Sequence, residues 1–91
     1  MALCWAASQG NVQEIKRLVA DGFGLEDADY DDRTALHIAA SEEQMAVLHY
    51  LIAKKVNLNP KDRWGGTPLT DALREGRKDA AALLKKHGGM A

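Results

Sequence analysis

Apolar residues recur along this chain in short blocks with helical spacing. Leu3 and Ala6 form one block, and Ile15, Leu18 and Val19 form the next, with Gly10 between them. The arrangement returns at Leu36, Ala39 and Ala40, followed by Val47, Leu48, Leu51 and Ile52. It returns again at Leu69 and Ala72, followed by Ala80, Ala81 and Leu84. Steps of three and four place each block on one face of a helix. The whole pattern repeats at a constant offset of 33 residues, bringing Leu3, Leu36 and Leu69 into register with no gap. Ala6, Ala39 and Ala72 follow the same offset, as do Leu18, Leu51 and Leu84. Asp29 with Asp62, Thr34 with Thr67, Leu25 with Leu58 and Gly10 with Gly76 also fit.

Each period carries its own start and stop signals. Thr34 and Thr67 suit the N-cap position, where a hydroxyl accepts from a free N–H of the first turn. Pro68 follows Thr67 at the first helical position, where its missing N–H costs nothing. A first helix is predicted from Leu36 to about Glu42 and from Leu69 to about Glu75, each followed by a second helix. The stretch Asn59-Pro60-Lys61-Asp62-Arg63-Trp64-Gly65-Gly66 then breaks the helical pattern. The unit is helix, turn, helix and a projecting turn. Such a unit cannot bury its apolar face alone, so the units are expected to stack into an all-α solenoid of three repeats. Small side chains at Ala39 and Ala40 allow neighbouring first helices to approach closely. The predicted boundaries are residues 1–28 for a partial first repeat, 29–61 for the middle repeat and 62–91 for a C-terminal capping repeat.

Composition narrows the class. The 91 residues suffice for one small domain and are 46% hydrophobic, too apolar for a disordered chain. Twelve basic residues against thirteen acidic ones give a net charge of −1, which supplies no general attraction to nucleic acid or an anionic membrane. The single cysteine, Cys4, rules out an internal disulfide scaffold. With no signal-like leader, the reading is an intracellular protein of a reducing compartment.

The string Thr34-Ala35-Leu36-His37-Ile38-Ala39-Ala40 resembles the signature of ankyrin repeats, and Thr67-Pro68-Leu69 repeats its beginning. Asp29 and Asp62 stand where the hairpin of that family begins, and Gly22, Lys55 and Gly88 stand at its glycine after the second helix. The resemblance spans nearly the whole chain and implies short β-hairpins between the repeats. The strings Asp29 to His37, Lys55-Val56-Asn57 and Pro60 to Trp64 are further similar to the ankyrin repeats that trail glutaminase catalytic domains. Plant kinases and some plant potassium channels carry a similar Lys-Asp-Arg-Trp-Gly-x-Thr-Pro-Leu string.

Three positions depart from the family pattern. Glu43, Lys55 and Asp32 stand where glycine is matched at Gly10 and Gly76, at Gly22 and Gly88, and at Gly65. Left-handed backbone there would strain the middle repeat by up to ~1–2 kcal/mol at each of Glu43 and Lys55, whereas Asp tolerates that conformation better. Polar residues replace apolar ones at both ends. Glu14 and Arg17 stand in place of Val47 and Tyr50, and Asp71, Lys78 and Lys85 in place of Ile38, Met45 and Ile52. These are read as the solvated outer faces of a short, finished array. Trp5, in register with Ile38, is expected in the core.

Candidate chemistry is sparse. Ser8 and Ser41 lack a nucleophile elbow, and Gly65-Gly66 is followed by no Lys-Ser/Thr pair for phosphate. Cys4 and His37 occupy equivalent positions in successive repeats; the resemblance instead implies that His37 bonds to the neighbouring hairpin backbone. No metal spacing is present in the sequence, so the expectation is no catalytic residue, cofactor or metal. The basic run Arg74, Arg77, Lys78, Lys85, Lys86, His87 is interleaved with Asp71, Glu75 and Asp79 and reads as a solvated face. The resemblance implies a non-catalytic protein–protein interaction module that binds through hairpin tips and the concave edge of the first helices. Carried over, its contact positions are Tyr30, Asp31, Arg33, Glu42, Arg63, Trp64, Arg74 and Glu75, with Ser8, Gln9, Ser41 and Gly66 beside them. The alternative is a regulatory or assembly appendage of a larger, glutaminase-like enzyme that contacts its own catalytic domain. The expected partner is thus a protein or the parent chain, with no nucleic acid, membrane or small-molecule substrate.

Overall fold

The structure, a computed structural model, describes residues 2–91. Its helices are α1 (Ala2–Ser8), α2 (Val12–Ala20), α3 (Ala35–Glu42), α4 (Met45–Ala53), α5 (Pro68–Arg74) and α6 (Lys78–Lys86). They pair as α1–α2, α3–α4 and α5–α6, and the first helices α1, α3 and α5 stack in a row. The three Leu/Leu/Leu and Ala sets that define the repeat are all buried, Leu3, Leu51, Leu84, Ala39 and Ala72 completely so. This is the expected solenoid, with its core running between the two helix rows. No helix of the described residues is long and apolar enough to cross a membrane.

The local signals act as predicted. Thr34 Oγ1 accepts from the His37 N–H and Thr67 Oγ1 from the Thr70 N–H, and Pro68 opens α5. Glu43, Lys55 and Asp32 all hold left-handed backbone, with φ of 53°, 60° and 60°. Their glycine counterparts have positive φ as well.

Three expectations need correction. The connections between repeats are tight turns rather than β-hairpins: an isolated bridge joins Ala28 to Thr34, and the described residues hold no strand. The turns are too short for a ladder and are held instead by aspartate side chains. Trp5 is exposed, at 67% of its surface, not part of the core. Its equivalent Asp71 is covered by the turn before α3, which reaches it through Arg33, whereas α1 packs chiefly on α2 and α3 and leaves the Trp5 ring open. Asp71, read as part of a solvated end face, is completely buried, because Arg33 reaches across from that same turn to neutralise it.

Candidate interaction surface

Two tips project between the repeats, and each is tied by its leading aspartate. Asp29 Oδ1 accepts the N–H groups of Asp31 (2.9 Å) and Arg33 (3.0 Å). Asp62 Oδ1 accepts those of Trp64 (2.9 Å) and Gly66 (2.8 Å). In both turns the aspartate N–H also donates across to the backbone carbonyl of Arg33 or Gly66. A short carboxylate that folds back on its own turn is what Asp supplies and a longer Glu does not. Burial pushes the Asp62 carboxyl up, but the Gly66 and Trp64 N–H groups outweigh it, aided by the charge of Arg33, and hold the group below its ordinary value.

The tips are clamped to one another. The Arg63 N–H donates to the Asp31 carbonyl (2.8 Å), and Arg63 Nη1 donates to Asp31 Oδ1 (3.2 Å). The same guanidinium stands 5.4 Å from the centre of the Trp64 ring, within cation–π range. Trp64 is nevertheless 70% exposed, and Tyr30 is fully exposed. Tyr30, Asp31, Arg63 and Trp64 therefore form one contiguous rim.

Beneath the rim lies a buried polar layer. His37 Nε2 lies 2.9 Å from the Gly66 carbonyl, and Nδ1 lies 3.1 Å from the Thr34 backbone nitrogen. A carbonyl only accepts and a backbone N–H only donates, so these partners assign the proton to Nε2. His37 thereby ties α3 to the second tip, as the family resemblance implied. Arg33 Nη2 bonds Asp71 Oδ2 at 3.1 Å, and Arg74 Nη2 lies 3.1 Å from Asp71 Oδ1 without the alignment of a hydrogen bond. Arg74 Nε continues to Glu75. Arg33, Arg74 and Glu75 are thus brought together through Asp71, a residue that sequence reasoning left outside the site. Arg33 turns to Asp71 rather than to Trp64 and is largely covered. Glu42 is exposed at the end of α3.

Folding also gathers His37, Asp62 and Asp71, whose donor atoms lie within 4.8 Å of one another, a cluster that linear spacing did not display. Its atoms are engaged by Gly66, by the tip N–H groups and by the two arginines, which supply the balancing positive charge. Cys4, at the foot of the first tip, is buried with Sγ 3.6 Å from the Arg33 carbonyl. Burial pushes its thiol up, with the Asp29 charge acting in the same direction, away from the reactive thiolate. The exposed Trp5 was also missed as a surface residue.

A profile for ankyrin repeats in three copies matches residues 3–90. The chain belongs to the ankyrin-repeat family. It is 40% identical over 86 residues to serine/threonine-protein kinase 12 of Arabidopsis thaliana, covering 94% of this chain and 19% of the kinase. It is 42% identical over 86 residues to the mitochondrial liver isoform of glutaminase from Mus musculus, covering 93% of this chain and 14% of the glutaminase. The chain therefore spans a fifth or less of these curated relatives. Among solved structures, it matches a chain in the predatory endopeptidase Bd0816 of Bdellovibrio bacteriovorus in complex with the immunity protein Bd3460. That match has a TM-score of 0.90 and 34% identity, covering 98% of this chain and 47% of the other. Ankyrin repeats are protein-interaction modules, and this chain has their architecture throughout.

Proposed function

We propose that this ankyrin array binds a protein partner across its two tips and the adjoining edge of α3 and α5. The contact set is Tyr30, Asp31, Arg63 and Trp64 on the rim, Arg33 beneath it, and Glu42, Arg74 and Glu75 along the helices. One observation carries the reading: the Trp64 indole stands 70% exposed on a tip that is held by the Asp62-centred turn and by the Asp31–Arg63 clamp to its neighbour. A large amphipathic ring presented on rigid backbone loses little entropy on binding, and Trp, Tyr and Arg dominate interface energetics. The match to a chain from a protein–protein complex supports the same reading. The buried Cys4 and lack of a possible internal disulfide support a reducing compartment.

A second reading is supported by the lengths of the relatives. A chain that covers 14–19% of much longer enzymes would serve as an appendage whose partner is its own catalytic domain. A catalytic domain encoded in the same reading frame would favour this reading over a free-standing module.

The test begins with capture of a partner by the wild type and continues with affinities of the purified pair. Trp64→Ala should weaken binding by ~2 kcal/mol or more with the melting temperature nearly unchanged. Arg63→Ala should weaken it further in the same direction. A binding loss that tracks unfolding would remove Trp64 from the site.

A further inference from the structure

A second surface shares no residue with the tips. At the C-terminal ends of α4 and α6 the chain leaves an open cavity of about 320 Å³, lined by Ile52, Lys55, Val56, Leu58 and His87. Its floor is aliphatic and recessed, with Val56 buried and Ile52 and Leu58 half-buried. Lys55 and His87 stand at its rim, and the Glu26 carboxylate accepts from the Asn57 N–H in the same loop. Lys54 adjoins Lys55 in sequence, and Lys86 adjoins His87, all of them exposed. On the other side of α4, Lys16 and Lys54 hold their ammonium groups 5.6 and 5.7 Å from the centre of the Tyr50 ring. Arg17, Arg33, Arg63 and Arg74 all form ion pairs, whereas these lysines form none among the described residues.

Helix C-termini attract cations, which accounts for Lys85 and Lys86. It favours Lys54 and Lys55 at the end of α4 in the same way, but does not account for a side chain at the left-handed position of Lys55. That residue has a φ of 60°, where its equivalents Gly22 and Gly88 have glycine's freedom and open space around them. A side chain kept in left-handed backbone at the mouth of a cavity is strain retained where the side chain has a use.

We propose that this seam binds an acidic peptide segment of a protein partner, with one apolar side chain seated in the cavity and carboxylates on either side meeting Lys54, Lys55 and Lys86. The occupant follows from three features. The cavity is at the small end for ligand sites and has ample room for one aliphatic side chain. The lysines span both the α2–α4 and the α4–α6 seams, roughly 20 Å at ordinary helix spacing, more than a small anion could neutralise. A bilayer takes apolar groups that protrude, whereas those here are recessed.

The test is fluorescence anisotropy of the purified 91-residue chain with a labelled Glu-Glu-Asp-Leu-Glu-Glu peptide and a counterpart carrying Ser for Leu. The leucine peptide should bind, weaken steeply with added salt, and bind better than the serine peptide. Lys55→Gly should weaken it about tenfold, a readout separable from folding because the change relieves strain and leaves the melting temperature unchanged or raised. Trp64→Ala should leave this binding unaltered, so that failure at the seam and failure at the tips are distinct results. No binding, equal binding of the two peptides, or unchanged affinity in Lys55→Gly would overturn the proposal. Retention by phosphatidylserine vesicles without peptide binding would overturn it in favour of a membrane surface.

Discussion

Asp32, Glu43 and Lys55 each bear a side chain at positive φ, and their surroundings give them different consequences. Asp32 is at the turn position its residue type tolerates best. Glu43 ends α3 and sends Oε2 to the Ala80 N–H at 3.3 Å, in the first turn of α6, a helix with no side-chain cap of its own. Lys55 makes no such compensating bond. Lys55→Gly is therefore expected to stabilise the chain by about 1 kcal/mol, whereas Glu43→Gly trades relief of strain against a lost cap and should change stability little. Thermal unfolding of the two variants checks this, and an equal gain in both would show that the Glu43–Ala80 bond contributes nothing.

Between elements, equivalent side chains perform equivalent tasks. Gln44 Nε2 donates to the Ser8 carbonyl at 2.7 Å, and one repeat later Arg77 Nε donates to the Ser41 carbonyl at 2.9 Å. Each of these two residues thus satisfies the carbonyl of a serine at the end of the first helix one repeat earlier. The Arg33–Asp71 pair fastens the first tip to α5 in the same manner, at a fully buried carboxylate. Arg33→Ala leaves that carboxylate with Arg74 alone and should cost about 2 kcal/mol or more. In an Asp71→Ile background, which restores the residue type at the equivalent Ile38, the same change should cost well under half as much, as a double-mutant cycle will show. The second tip carries a pH dependence. Asp62 is held below its ordinary value of 3.8 in the folded chain, so its contribution is present above that value and is lost as pH falls through the lower, folded value. Acid titration of the melting temperature should therefore be shallower in Asp62→Asn, which retains the oxygen that caps the turn.

Across the whole molecule, the middle repeat packs against both neighbours, and the outer two communicate through it. Leu36 and Leu48 are its buried anchors, at 2% and 0% exposure. Truncating either to Ala should cost about 2–5 kcal/mol, a large part of what so small a domain possesses. We expect circular dichroism to follow one cooperative transition, moved to lower temperature, in Leu36→Ala. Two separated transitions would show that the repeats unfold independently.

The period, the two Thr caps, the three positive-φ positions and the helix faces were all legible in the sequence, because each depends on neighbours within a turn or on an offset repeated three times. Tyr30, Arg63 and Trp64 could be singled out by residue type and register in the same way. Their arrangement could not. That Arg33 turns inward to Asp71 while Arg63 clamps Asp31, that Asp71 is buried and Trp5 bare, and that His37, Asp62 and Asp71 converge were decided by stacking. A repeat pattern specifies what each unit presents, but burial and charge pairing depend on what the adjacent unit places against it. Trp5, Ile38 and Asp71 share one register and end in three environments, because the element that covers that position differs for each.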